Sequence, residues 1–149
     1  MHYRSRVAAY AGIVSDGALA SGSAEAFGEW WSERRRWEKD THRLTVAERD
    51  GELAGFSYVG PSETPGAVEL YAIHVDPDLV GTGVGRELMV DALRQLAELG
   101  GDRAVLWVLE ANDRARAFYE RGGWAADGAT RVDAISGEPV AMLRYSRAW

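Results

Sequence analysis

The sequence predicts an α/β fold in which helices pack on a mixed sheet, and three observations lead there. Short apolar runs alternate with amphipathic stretches in the order helix, helix, strand, strand, strand, helix, strand, helix, strand, strand. One of the runs, Ala104 to Leu109, is continuously apolar, as strands buried on both faces are. A glycine-rich turn, Val80-Gly81-Thr82-Gly83-Val84-Gly85, joins a strand to a helix. At 149 residues the chain is expected to form a single domain, 1–149, burying about two thirds of the surface its unfolded chain exposes.

Each element has its own local reason. Val7, Ala8, Tyr10, Ala11 and Val14 recur at helical spacing, which predicts a short amphipathic helix starting almost at the first residue. Ser15 to Ser23 is rich in Gly, Ser and Ala and reads as a loop. A second helix is predicted from Ala24 to Trp37, with Phe27, Trp30, Trp31 and Trp37 at helical spacing and Arg34-Arg35-Arg36 as a solvated face. Strands follow at Arg43 to Glu48 and Leu53 to Val59, joined by Asp50-Gly51, a pair suited to a tight hairpin turn.

The loop Gly60 to Gly66, with Pro61 and Pro65, leads into a strand at Val68 to Val75. Asp76-Pro77 ends that strand, because proline lacks an N–H and restricts its predecessor. A helix over 85–99 follows, closed by Gly100-Gly101, then the strand Ala104 to Leu109. Asn112 to Arg121 is the last predicted helix, ended by Gly122-Gly123. Thr130 to Ile135 and Val140 to Tyr145 form a closing hairpin around Ser136-Gly137.

Composition excludes several function classes. The chain has no Cys, which removes disulfide scaffolds, cysteine zinc sites and thiol nucleophiles. A net charge of -6 argues against nucleic acid as the main partner. No apolar run is long enough to cross a bilayer or act as a signal peptide, so a cytoplasmic protein with no membrane partner is expected. With three His in all, and no two near each other with a carboxylate at ligand spacing, no metal is expected.

The glycine turn carries the first chemical signal. Glycines admit positive φ and close backbone approach, so successive N–H groups converge on an anion beside the positive end of a helix dipole. A phosphorylated ligand is therefore expected. A triphosphate loop would need Lys and Ser or Thr after its last Gly, where Arg86-Glu87 stands. The dinucleotide pattern would need a third Gly where Arg86 stands.

Two motifs then occur in order: Tyr71-Ala72-Ile73-His74-Val75-Asp76-Pro77 with Gly81-Thr82-Gly83-Val84-Gly85-Arg86, and Leu106-Trp107-Val108 with Asn112-Asp113-Arg114-Ala115-Arg116-Ala117-Phe118-Tyr119-Glu120-Arg121-Gly122-Gly123-Trp124. In both, the sequence resembles the GCN5-related N-acetyltransferase (GNAT) family, over roughly residues 44 to 145. The resemblance implies a mixed, mostly antiparallel central sheet flanked by helices, with acetyl-CoA as acyl donor. Its pyrophosphate would lie on the N–H groups of Gly81, Thr82, Gly83, Val84, Gly85 and Arg86. Its pantetheine arm would run between splayed strands, held by the backbone near Ile73, His74 and Val75 and by Asn112. Asn is also a common helix cap, and the two roles are compatible.

Acetyl transfer to an amine needs a neutral nucleophile, stabilisation of an oxyanion and a proton for the departing sulfur. The resemblance assigns the last to Tyr119, which also binds the cofactor, and the oxyanion to backbone N–H groups near Ile73 to Val75. Glu69 is the candidate general base, with a solvent-facing strand residue as its alternative. The resemblance implies that His74 faces the helices, where it would serve packing or a local hydrogen bond. Tyr10, Trp30, Trp31, Trp37 and Tyr71 are candidates for an acceptor pocket suited to an apolar or aromatic amine, or else belong to the core.

The sequence departs from the family pattern at Val80, where Gln or Arg is usual, and at its start, where residues 2–13 read as the end of a first helix. The sheet is then expected to lack its first strand. Its exposed edge must be covered, paired with a second copy as a homodimer, or restored upstream of a misassigned start. The expected function is N-acetylation of a small-molecule or peptide amine by direct transfer; the alternative is a non-catalytic acyl-CoA-binding module.

Overall fold

The computed structural model describes residues 32–34, 36–135 and 137–149. Six strands form one sheet in the order β1-β2-β3-β4-β6-β5. They are β1 (Arg43–Arg49), β2 (Glu52–Pro61), β3 (Ala67–Val75), β4 (Arg103–Leu109), β5 (Ala125–Ile135) and β6 (Glu138–Arg147), with helices α1 (Val84–Leu99) and α2 (Asp113–Arg121) between them. Only β3 and β4 run parallel; the other neighbours are antiparallel. The mixed, mostly antiparallel sheet is thus present. Residues 32–34 and 36–38 are helical, within the second predicted helix and one residue past its end. The first predicted helix, and the expected loss of a first strand, fall outside the described residues.

The β1–β2 hairpin turns where Asp50-Gly51 predicted. Both residues have positive φ, 55° and 80°, matching the right-handed twist of the strands they join. Strand β2 runs further than the sequence implied, through Gly60 and Pro61, because His42 packs on it. A Cβ at Gly60 would lie 2.2 Å from the His42 ring, so glycine there makes room for a side chain and does not start a loop. Strand β5 likewise begins at Ala125, well before Thr130. Its pairing with β6 skips from Ala126↔Tyr145 to Thr130↔Leu143, and that irregularity absorbs Asp127-Gly128-Ala129.

Helix α1 presents Val84, Leu88, Met89, Ala92, Gln95 and Leu96 to the sheet at helical spacing. Gly83 caps its start and Gly100 its end, both left-handed, and the Gly100 N–H donates to Ala97 O at 3.1 Å. Its outer face carries Arg94 between Asp91 and Glu98, and Glu98 also takes Arg43 of β1 at 2.6 Å. Helix α2 packs on the same side of the sheet. One buried cluster joins Met89 and Leu96 to Leu106, Val108, Trp124 and Tyr145, with Phe118 and Tyr119 against it.

Strand β3 contains the feature that positions the site. It pairs with β4 only at Ala67↔Arg103, Val68↔Ala104 and Glu69↔Val105, and then the two strands part. On its other side β3 carries an extra residue: Leu70 pairs with Val59 and Ala72 with Tyr58, leaving Tyr71 as a bulge. A bulge bends its strand and strengthens the twist, here at the point where the strands separate. It also changes which side chains share a face. Val68 and Leu70 face the helices before the bulge, and Ile73 and Val75 after it. The expectation that His74 faces the helices is therefore corrected: His74 stacks on Phe56, ring centroids 5.3 Å apart, on the opposite face.

Candidate active site

The site is built around the gap between β3 and β4. Past Glu69 and Val105 neither strand pairs with the other, so the backbone of Tyr71 to Val75 borders an open cleft. Residues Tyr71 to Val75 are correspondingly half-buried, where Ala67 to Leu70 are buried. Parallel strands joined through a helix put their C-terminal ends together, and such ends are where open sheets bind ligands. A short 3₁₀ turn at Pro77–Leu79, absent from the sequence reading, leads from β3 to the glycine turn; the Asp76 carboxylate accepts from the Asp78 N–H at 3.0 Å and caps it.

The glycine turn sits at the mouth of that cleft. Gly81 and Gly83 have φ of 82° and 96°, a region that penalises any residue with a Cβ. The first bond into α1 runs from the Glu87 N–H to Gly83 O at 3.1 Å. The N–H groups of Gly83, Val84, Gly85 and Arg86 precede it and, among the described residues, have no backbone partner. Thr82 spends both its N–H and its hydroxyl on Leu79 O, which shapes the turn. The Val84 side chain is buried against Ala54 and Leu88, while Arg86 is exposed.

Gly85 is informative because the fold does not need it. Its φ is ordinary, and a Cβ there would meet Phe118 and Val75 at 3.5 Å, normal contact. A glycine inside a helix costs roughly 1 kcal/mol against alanine. A ligand lying against the first turn of α1 gives that glycine a reason that the protein's own packing does not. The cleft, the unpartnered N–H groups and this bare position all fit the pyrophosphate and extended arm of a coenzyme A thioester.

Asn112 lies at the C-terminal end of β4 across the cleft. It is 8% exposed, and its Oδ1 accepts from the Ala115 N–H at 3.2 Å, which makes it the N-cap of α2. We predict that Asn112→Ala lowers unfolding free energy by about 1 kcal/mol, the usual worth of such a cap, read by urea denaturation. Tyr119, two turns on, is half-buried. Its ring stands edge-on to Phe118, Trp124 and Tyr145 at centroid distances of 5.6, 6.5 and 6.4 Å. Tyr145 holds α2 to the sheet: its hydroxyl accepts from Arg116 Nε at 3.0 Å and donates to Glu120 Oε1 at 3.1 Å.

Glu69 occupies the vertex where β3 and β4 part, on the sheet face away from α1 and α2. It is buried, 9% exposed, so its alternative reading as a solvent-facing strand residue is corrected. It pairs across the strands with Gly60, where the His42 ring lies. Burial pushes its carboxyl above the ordinary glutamate value. A hydrogen bond from Ser62 Oγ at 2.7 Å and the guanidinium groups of Arg131 and Arg34 pull it back in part, and Glu63 adds to the rise.

Tyr71, the bulged residue, donates its hydroxyl to Pro61 O, and burial holds its own ionisation up at about 12. It therefore stays a neutral phenol at any working pH. Around it lies a group of rings and charges that the sequence reading did not assemble. His42 stacks on Tyr58 at 5.4 Å and tilts on Tyr71 at 5.3 Å. Arg34 lies 4.9 Å from the Tyr58 ring and 5.0 Å from that of Tyr71, and pairs with Glu38, which also takes His42 Nε2 at 2.7 Å. Burial lowers the His42 pKa against the opposing pull of Glu38.

Arg34 is thus half-buried over two tyrosines and is not part of a solvated face. Trp37 is 76% exposed, which removes it from both the core and the pocket lining. Tyr10, Trp30 and Trp31 lie outside the described residues. Arg34, His42 and Arg131 were missed for one reason: they belong to no motif, and only strand register and a helix end bring them to this face of the sheet. The uninterrupted Arg34-Arg35-Arg36 run concealed that one member faces inward.

Comparison with known proteins agrees with this geometry. The profile of the acetyltransferase (GNAT) family matches residues 13–124. A mycothiol acetyltransferase of Salinispora tropica is 34% identical over 133 residues, covering 78% of this chain and 43% of that protein. One from Streptomyces avermitilis is 40% identical over 80 residues, 54% of this chain and 26% of its own length. The chain thus spans less than half the length of these curated relatives.

Among solved structures, a PaiA N-acetyltransferase from Thermoplasma acidophilum in complex with coenzyme A shares the fold, with a TM-score of 0.76 at 19% identity over 99% of this chain and 87% of that one. A nourseothricin acetyltransferase superposes with a TM-score of 0.63 at 31% identity, over 74% of this chain and 66% of the other. With the parted strands, the glycine turn at the head of α1 and the match across most of its length, the chain belongs to the acetyltransferase (GNAT) family.

Proposed function

We propose that this protein is an acetyl-CoA-dependent N-acetyltransferase that passes the acetyl group directly to the amine of a small molecule or peptide. The observation that carries the proposal is the cleft between β3 and β4, with unpartnered N–H groups at its mouth and a buried carboxyl at its vertex. Acetyl-CoA, the family's acyl donor, supplies an activated acyl group with a thiol leaving group.

The residues then divide the remaining work. The unpartnered N–H groups of Gly83, Val84, Gly85 and Arg86 hold the pyrophosphate, the Thr82 N–H being spent on Leu79 O, and Asn112 with the free β3 backbone from Ile73 to Val75 holds the arm, so that the thioester is presented at Glu69. The acceptor nitrogen forms a bond to the acetyl carbon while the carbon–sulfur bond breaks. Glu69 takes the proton that the amine must lose, directly or through water, and Tyr119 gives one to the departing sulfur. Backbone N–H groups of β3 near the bulge polarise the carbonyl oxygen, which spares the site a dedicated side chain.

The mycothiol acetyltransferase relatives support acetyl transfer and leave this chain's acceptor to be determined. Calorimetric titration with acetyl-CoA tests the reading first. Saturable micromolar binding, followed by coenzyme A release on adding an amine, is expected. Binding without amine-dependent release would instead mark the chain as a non-catalytic acyl-CoA-binding module, and no binding by folded protein would overturn both.

A further inference from the structure

Strand β5 is an edge of the sheet, yet one of its side chains reaches back over the middle. Arg131 pairs with Met142 of β6, on the face opposite the helices, and its guanidinium lies 4.2 Å from the Trp107 ring on β4. Trp107 is two residues beyond Val105, the partner of Glu69, on the same face, so Arg131 stands at the mouth of the cleft on the acceptor side. Its Nε donates to Asp133 Oδ2 at 2.9 Å. Among the described residues its two Nη groups have no hydrogen-bond partner, and the side chain is 45% exposed. Of the charges acting on the Glu69 carboxyl, that of Arg131 is the largest.

An arginine so held is prepared to bind. The indole fixes the guanidinium plane and Asp133 fixes its rotation about the chain, while the outer edge of the fork stays available. That edge recognises a carboxylate or a phosphate by paired charge-assisted hydrogen bonds. Asp133 sits on the Nε side and partly neutralises the cation when no ligand is present.

We propose that Arg131 is a specificity-determining residue that binds an anionic group of the acceptor, so that the preferred acceptor is an amine with a carboxylate or phosphate close to the reacting nitrogen. An amino acid is the simplest such molecule. The inference rests on the acetyl-transfer reading above, with Glu69 facing the amine. It reverses what net charge alone suggests: a chain of charge -6 would be expected to favour cationic acceptors, but the cleft mouth has a cation in front.

The test compares three kinds of acceptor through coenzyme A release: amino acids, the amines left when their carboxylate is removed, and amino alcohol phosphates with the matching amino alcohols. Wild-type protein is expected to favour the anionic member of each pair at least tenfold in kcat/KM, and the ratio between carboxylates and phosphates identifies which anion fits. Arg131→Gln should raise KM for the anionic members about tenfold relative to the neutral members, so that the preference within each pair is lost, at an unaltered melting temperature. Arg131→Lys, which keeps the charge without the fork, should restore only part of the preference.

Equal use of anionic and neutral acceptors, or a preference that survives Arg131→Gln, would overturn the assignment while leaving acetyl transfer intact. Binding of acetyl-CoA with no release for any acceptor would overturn it together with the acetyl-transfer reading.

Discussion

Replacing Tyr119 by Phe is expected to lower turnover about a hundredfold with acetyl-CoA affinity almost unchanged, the usual loss when one general acid is removed. That factor corresponds to about 2.7 kcal/mol of transition-state stabilisation. The substitution removes the hydroxyl and keeps the ring. Tyr119 contributes edge-on contacts to Phe118, Trp124 and Tyr145, and Phe preserves all three. Stopped-flow or steady-state assay of coenzyme A release gives the rate, and calorimetry gives the affinity. An unchanged rate in a folded variant would remove the phenol from the reaction, leaving water to protonate the sulfur.

The second large effect is expected at Glu69. Glu69→Gln should cost about a hundredfold in kcat/KM near neutral pH and move the pH optimum upward, because the acceptor must then lose its proton without help. In the unmodified protein the acid limb of the profile should lie above the ordinary carboxylate range, since burial raises the carboxyl's pKa. The Gln variant should lack that limb. A pH profile identical in the two proteins would show that the amine proton leaves by another route.

The same substitution should act in the opposite sense on stability. A carboxyl whose pKa is higher in the folded than in the unfolded chain stabilises the fold below the unfolded value, and that contribution is lost as pH rises through the folded one. At pH 7 the buried charge of Glu69 is therefore a burden that neutral Gln does not carry. The Gln variant should melt above the unmodified protein at pH 7 to 8, with the gap closing toward pH 4. Loss of activity with gain of stability is the mark of a group kept for function. A lower melting temperature at pH 7 would mean that the Ser62 hydrogen bond, which prefers a carboxylate, outweighs the cost of burial.

The strands predicted from Arg43 onward and the helices predicted over 85–99 and Asn112 to Arg121 correspond to observed ones because their signals are local. The Asp50-Gly51 pair turns a hairpin by its own dihedral preferences, Asn112 caps a helix by a hydrogen bond three residues long, and the period of Ala104 to Leu109 needs no partner to be read. The glycine turn was legible for the same reason: positive φ at Gly81 and Gly83 and the start of α1 are properties of six consecutive residues. Family membership followed, since its two motifs are each continuous in sequence.

What escaped the sequence depends on register. One extra residue at Tyr71 parts β3 from β4 and sends His74 to the face opposite the one that simple alternation implied, and nothing in the composition of β3 announces it. Gly60 reads as a loop residue until His42 is found lying on it. Arg34 and Arg131 come from opposite ends of the chain to flank one carboxyl, the first through a helix end and the second across two strands. The sequence by itself determined the elements, the phosphate turn and the family, because those rest on short-range backbone preference. The tertiary structure alone decided which charges surround Glu69, because long side chains meet there only after strand pairing has chosen their faces.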